Sequence, residues 1–192
     1  MKPEKRSLRS DVRAARAGIP EAQRDAASGA ASARALELPE VTGARTVLAY
    51  AATEEELDPS TLVEALRARG ARIAYPRVCG PGALSVHWAA PDDLAPGYCG
   101  VLEPAEDAEL TELKEIDLVL VPGVAFDEAC GRLGMGGGFY DRLLADVPSH
   151  ASTVGFAFDE QIVAGVPVER HDLPIEIVVT PTRVLRRTRP TG

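Results

Sequence analysis

The chain has 192 residues, 45% of them hydrophobic and 26% charged, and a net charge of −8. That length suits one domain able to bury a core without disulfides or structural metal, and the acidic balance disfavours a nucleic-acid surface. Cys79, Cys99 and Cys130 stand far apart with no C-x-x-C, which argues against a disulfide framework and a zinc site.

Met1–Arg6 is basic but leads into no apolar run, so it does not read as a secretory signal. The most apolar stretch, Leu118–Phe126, is far short of a membrane span. The expectation is a cytoplasmic monomer with reduced thiols, bound to neither nucleic acid nor membrane.

Lys5–Ala17 predicts a helix, with Leu8, Val12 and Ala15 on one face and Lys5, Arg9, Arg13 and Arg16 on another. Ile19-Pro20-Glu21 starts a second, alanine-rich helix to about Glu37, with Pro20 suited to its first position. Thr46–Tyr50 has strand character. After the acidic loop Glu54–Leu57, Asp58-Pro59 signals an N-cap followed by proline at the first helical position. The helix so started carries Leu62, Val63 and Leu66 and stops at Gly70. Arg72–Tyr75 is the next strand, ended by Pro76. Strand, helix and strand in this order make a βαβ unit with parallel pairing.

Leu84–Trp88 is a further strand. Leu118–Val121 is apolar throughout, as a central parallel strand covered on both faces requires. Pro122–Gly138 reads as a long loop, Phe139–Ala145 as a helix, and Thr153–Phe156 and Ile177–Thr180 as two more strands. Residues 183–192 read as a mobile basic tail. The fold expected is α/β, a three-layer sandwich with a mainly parallel, Rossmann-like central sheet, in a single domain over residues 1–192.

The segment richest in chemistry is Val121-Pro122-Gly123-Val124-Ala125-Phe126-Asp127, continuing through Gly131-Arg132-Leu133-Gly134-Met135-Gly136-Gly137-Gly138-Phe139-Tyr140-Asp141-Arg142. It follows a buried strand and leads into a helix, which puts it at the carboxyl edge of the sheet, where open α/β folds bind ligands. Glycines let backbone N–H groups approach an anion without Cβ interference, and a helix N-terminus adds its dipole. Arg132 brings a charge-assisted donor for phosphate oxygens, and Asp141 a carboxylate for magnesium. There is no G-K-[ST], so this is not a P-loop, and Phe139 stands where G-x-G-x-x-G needs its third glycine. A flexible surface turn that caps a helix is the competing reading. Against it, ordering four glycines costs roughly 0.5–1 kcal/mol each relative to alanine.

The stretch V-P-G-V-A-F-D…G-R-L-G-M-G-G-G-F-Y-D-R resembles the signature of the 5-formyltetrahydrofolate cyclo-ligase family, whose loop typically reads R-L-G-x-G-x-G-Y-Y-D. Lys5-Arg6-Ser7-Leu8-Arg9 resembles its basic N-terminal helix, and Thr53–Asp58 its acidic substrate segment. Val101-Leu102-Glu103-Pro104 is similar to its G-I-x-E-P element, and Asp172-Leu173-Pro174 to its late acidic motif. The resemblance implies ATP-dependent closure of 5-formyltetrahydrofolate to 5,10-methenyltetrahydrofolate, releasing ADP and phosphate.

Carried over by position, the resemblance implies ATP contacts from Lys5, Arg6 and Arg9. It implies further ATP contacts from Arg132, Leu133, Gly134, Met135, Gly136, Gly137, Gly138, Phe139 and Tyr140. Ala51 and Glu56 would bind the folate together with Met135–Phe139, Asp141 and Asp172 would hold Mg2+, and Arg132 and Tyr140 would be catalytic. Phosphoryl transfer asks for positioning and cationic clamps more than for a nucleophile. The chain departs from the family pattern at Met135 and Gly137, where lysine or arginine is common, and at Phe139 and Glu176.

His87, His150 and His171 lack metal-ligand spacing and read as structural or exposed. Trp88 reads as packing. Two other classes stay open: a sugar-phosphate isomerase-type enzyme on a similar scaffold, and a non-catalytic folate- or nucleotide-binding paralogue.

Overall fold

The computed structural model describes residues 2–167, 169 and 173–188. Its helices are α1 Lys2–Ala17, α2 Glu21–Ala35, α3 Pro39–Thr42, α4 Ser60–Ala68 and α5 Phe139–Asp146. The main sheet has eight strands: β1 Thr46–Leu48, β2 Arg72–Gly80, β3 Ala83–Trp88, β4 Leu110–Thr111, β5 Leu118–Val121, β6 Ser152–Phe156, β7 Ile177–Val179 and β8 Val184–Arg186. Their spatial order is β8-β7-β6-β5-β1-β2-β3-β4. Pairing is parallel from β7 through β6, β5 and β1 to β2, and antiparallel at both ends.

The three layers follow from the two-residue period of a strand. Val47, Leu118, Leu120, Val154 and Ile177 pack with Ala31, Ala35, Val41 and Leu62 beneath α2, α3 and α4. Their neighbours Leu48, Val119, Val121 and Val178 pack with Leu143 and Leu144 of α5 on the other face. Helix α1 does neither. Its Leu8 and Val12 pack on Val124, Ala125 and Leu133 of a smaller three-stranded sheet, formed by Ala125–Asp127 between Ile162–Val163 and Arg132–Leu133.

That smaller sheet corrects the expectation of a loop over Pro122–Gly138. Two buried polar side chains build it. Asp127 accepts hydrogen bonds from the N–H groups of Ala129 (3.0 Å), Gly131 (2.7 Å) and Val166 (2.9 Å). Gln161 donates to the carbonyls of Gly123 and Val124 and accepts from Phe158 N–H. Hydrophobic periodicity carries no trace of strands two or three residues long held this way.

Strand β2 does not stop at Pro76. Ala89 N–H donates to Ile73 O, so odd residues of β2 bond to β3 and the nitrogen of Pro76 faces the other way, past the last residue of β1. Pro20 and Pro59 occupy N-cap positions rather than first helical positions. Asp58 still serves α4, accepting from Ser60 N–H and Ser60 Oγ at 2.9 and 2.8 Å.

The face of α1 is also corrected. Its buried residues are Lys5, Val12 and Arg16, whereas Arg13 and Ala15 are exposed.

The tail expectation fails over its first half: Val184–Arg186 pairs antiparallel with β7, and Arg186 makes a two-pronged contact with Glu40 at 2.6 and 3.2 Å. Ending the chain at Arg183 should therefore cost about 1–3 kcal/mol, from two half-buried aliphatics and a lost ladder, read as a lower urea midpoint. A mobile tail would leave the midpoint unchanged. The hydrogen bond from Arg186, against the opposing effect of burial, holds the Glu40 carboxyl below its ordinary 4.5. The part of the loss due to this pair is complete above that value and fades as pH falls through the folded pKa.

Candidate active site

Strand β1 sits between β5 and β2. From β1 the chain moves to β2 on one side, and from β5 it moves to β6 on the other, so the topology reverses between β1 and β5. Open α/β sheets bind ligands at such a point, beyond the carboxyl ends of the strands. A cavity of about 410 Å³ lies there, lined by Tyr50 and Ala51 after β1, Pro122 and Gly123 after β5, and residues 134–141.

The glycine loop is held at its carbonyls and its base. Arg9 Nε of α1 donates to Gly134 O at 2.8 Å. Arg142 of α5 donates to Gly137 O and Gly138 O at 3.3 and 3.1 Å. Arg132 pairs with Asp141 across the base of the loop and donates to Pro122 O at 3.1 Å. Gly136 and Gly138 have φ of +107° and +70°, a region where a side chain is strained.

By contrast, the N–H groups of residues 135–139 meet no protein acceptor among the described residues. Those nearest α5 belong to its first turn, which no intrahelical carbonyl can satisfy. Free N–H groups at the start of a helix, beside the guanidinium of Arg132, suit an anion.

Elsewhere the cavity offers a carboxylate and a phenol. Glu56 Oε2 accepts from Thr53 N–H and Oγ1 at 3.0 and 3.1 Å, while its Oε1 meets no protein donor among the described residues. Tyr140 Oη is buried without a protein hydrogen bond among the described residues. Burial first, then the nearby Glu56, pushes its pKa well above the ordinary 10, against the opposing pull of Arg132. The phenol stays protonated at neutral pH and can donate.

The remaining wall is residues 97–103. Ala95–Pro96 and Leu102–Glu103 pair antiparallel, and buried Glu103 anchors the segment to β2 through Val78 N–H (3.3 Å) and Arg77 (3.7 Å). Tyr98 and Met135 are about half exposed, Leu102 nearly so, and all three line the cavity. The Tyr98 ring sits 6.0 Å from Phe139.

A family model for the 5-formyltetrahydrofolate cyclo-ligase family matches residues 1–181. The chain belongs to that family. It is 37% identical over 175 residues to the 5-formyltetrahydrofolate cyclo-ligase of Escherichia coli strain K12, covering 88% of this chain and 95% of that relative. It is 32% identical over 190 residues to the enzyme of the same name from Mycolicibacterium smegmatis, covering 95% and 97%. The solution structure of the Aquifex aeolicus 5,10-methenyltetrahydrofolate synthetase superposes with a TM-score of 0.85 at 31% identity, over 98% of this chain and 95% of that one.

Of the residues that family membership points to, the cavity gathers Ala51, Glu56, Arg132, Gly134, Met135, Gly136, Gly137, Gly138, Phe139, Tyr140 and Asp141. Four stand apart. Leu133 is buried among α1 side chains, Lys5 pairs with Glu169 at 3.3 Å, Arg6 is exposed, and Arg9 reaches the loop from behind through Gly134 O. Asp172 and His171 lie outside the described residues. His87 is buried, its ring nitrogens engaged by Ser85 Oγ and Ala108 O, and Trp88 stacks under Arg72 at 4.0 Å.

Tyr50, Pro76, Val78, Leu84, Tyr98, Cys99 and Leu102 also line the cavity and were not expected there. Two carried a signal: Tyr50 follows the carboxyl end of a central strand, and Leu102 belongs to the V-L-E-P stretch.

Among the described residues no group of three or more His, Cys, Asp or Glu could hold a metal by itself. Asp141 has one oxygen committed to Arg132 and is one-third exposed, so it fits an ion held mainly by phosphate and water.

The ion pair gives Asp141 a role that needs no metal. Asp141→Asn should lower stability by about 1–3 kcal/mol, since it removes a charge-assisted hydrogen bond from the nearly buried Arg132 guanidinium. Denaturant melts in EDTA check this. A carboxylate serving only as a magnesium ligand would show no loss there.

Proposed function

We propose that the chain converts 5-formyltetrahydrofolate to 5,10-methenyltetrahydrofolate in this cavity, with ATP as co-substrate. The observation that carries the reading is the run of N–H groups at residues 135–139, without acceptors among the described residues, in the same cavity as the open Oε1 of Glu56. One feature suits phosphate oxygens and the other the N–H donors of a pterin.

The formyl oxygen attacks the γ-phosphorus, the bond to the bridging oxygen breaks, and ADP leaves. N10 then attacks the activated formyl carbon and loses its proton, and phosphate departs with the former formyl oxygen. Such a transfer is served by fixed positive dipoles and charges where negative charge gathers. Here those are the loop N–H groups and the Arg132 guanidinium. Tyr140, held protonated, donates to a substrate oxygen. Asp141, with Asp172, would hold Mg2+, which neutralises charge on the phosphate oxygens when bound. The working unit in this reading is a monomer. The exposed thiols of Cys79 and Cys99 suit the cytoplasm.

The direct test is formation of the methenyl product, followed by its absorbance, with and without ATP and magnesium. No turnover at high protein concentration, with both ligands shown to bind, would replace the reading with a non-catalytic one. Two variants separate the subsites. Gly136→Val forces a β-branched residue into a φ of +107° and should weaken ATP binding while the fold melts normally. Glu56→Gln should raise the folate KM roughly ten- to hundredfold by removing a charge-assisted acceptor, with ATP affinity little changed. Equal losses for both ligands would show that Glu56 is misassigned.

A further inference from the structure

Arg142 is exposed on α5, yet one nitrogen of its guanidinium is held by three carbonyls. A single nitrogen, Nη1, donates to Gly137 O (3.3 Å) and Gly138 O (3.1 Å) of the glycine loop and to Gly82 O (2.9 Å), in the turn between β2 and β3. Gly82 has φ +69°, and a Cβ placed on it would lie 1.9 Å from that nitrogen. The turn is therefore shaped around the guanidinium, although it lies more than fifty residues away in the chain.

In a trans peptide the carbonyl and the following N–H point in opposite directions. Drawing Gly137 O and Gly138 O onto Arg142 turns the N–H groups of Gly138 and Phe139 away from it. These two residues line the cavity, and their N–H groups have no protein acceptor among the described residues. We infer that Arg142, seated against Gly82, is a positioning residue that holds the glycine loop in the conformation that receives ATP phosphates. Gly138 O also accepts from the Arg142 backbone N–H at 3.2 Å, so the side chain's own contribution falls on the Gly137–Gly138 peptide. Without it, that peptide must be ordered by the nucleotide itself, and affinity falls by that cost. The inference rests on the loop being the phosphate site.

The experiment measures ATP affinity by titration calorimetry and KM for both substrates, on the full chain. The variants are Arg142→Met, Arg142→Lys, Gly82→Ala, the Arg142→Met/Gly82→Ala double variant, and Gly136→Val as the loop control. Arg142→Met and Gly82→Ala should each weaken ATP binding about tenfold, with kcat and the folate KM moving less. Arg142→Lys, which keeps a charged donor on a shorter side chain, should fall between Arg142→Met and the parent. The double variant should bind ATP no worse than the weaker single, because both changes remove one contact.

The proposal is overturned if Arg142→Met binds ATP like the parent while Gly136→Val does not. It is equally overturned if the two losses add, since the turn would then act apart from Arg142. If Gly82→Ala does not melt cooperatively, the Arg142→Met and Arg142→Lys pair decides alone. Unchanged ATP affinity in Gly136→Val would instead refute the phosphate site, and the positioning role with it.

Discussion

The structure turns on one requirement: a loop with four glycines in five residues must be rigid although it has almost no side chains with which to pack. Arginines from outside the loop meet it. Arg9 comes from α1, Arg132 from the hairpin and Arg142 from α5, and between them they bind the carbonyls of Pro122, Gly134, Gly137 and Gly138. Cations that take the carbonyls leave the N–H groups to the ligand and add positive charge nearby. The absence of lysine or arginine at positions 135 and 137 is thus no shortage of charge. The charge sits beneath the loop rather than within it.

That arrangement explains why the chain needs the small sheet. The central parallel strands bring Ala51 and Pro122 to one edge, but a sheet edge alone supplies no platform for α1 or for Arg132. The hairpin after β5 supplies both: its outer strand carries Arg132, and its apolar side receives Leu8 and Val12. Asp127 and Gln161 stabilise the hairpin by filling main-chain donors and acceptors that its short strands leave open. The residues of V-P-G-V-A-F-D therefore build the support under the site, and G-R-L-G-M-G-G-G-F-Y-D builds the site.

Much of this was legible in the sequence, for identifiable reasons. The βαβ unit from Thr46 to Tyr75 and the buried strand Leu118–Val121 follow from apolar runs and capping signals, and the glycine loop from composition at a strand-to-helix junction. What escaped is either too short to show a period or set by contacts between separate elements. Ala95–Pro96, Leu102–Glu103, Arg132–Leu133 and Val184–Arg186 are strands of two or three residues in local hairpins, too short for alternation to mark them. Pro76 reads as a terminator until the register shows its nitrogen facing the side where β1 has ended. The wall at Tyr98–Leu102 is placed by buried Glu103 on β2, a contact spanning 25 residues, of which V-L-E-P marks the glutamate but not its partner.

Helix α1 shows the same limit in another form, and the reason it was misread ties the two halves of the site together. Apolar periodicity sets Leu8, Val12 and Ala15 inward, yet the buried stripe is Lys5, Val12 and Arg16, with Leu8 and Arg9 partly covered. Arg16 is almost wholly buried, with Nε and one Nη lacking partners among the described residues, and burial lowers its pKa against the attraction of Glu55 and Glu56. Each such donor costs about 1–3 kcal/mol, so pure core packing would not select it. Its remaining nitrogen binds Glu55 at 3.2 Å, next to Glu56. Arg9 stands two turns earlier on the same face, about 10 Å away along the axis, and binds Gly134. One rigid helix thus contacts the glycine loop through one arginine and the acidic loop through another. The spacing between the loop N–H groups and the open oxygen of Glu56 is fixed by the rise of α1 as well as by the sheet.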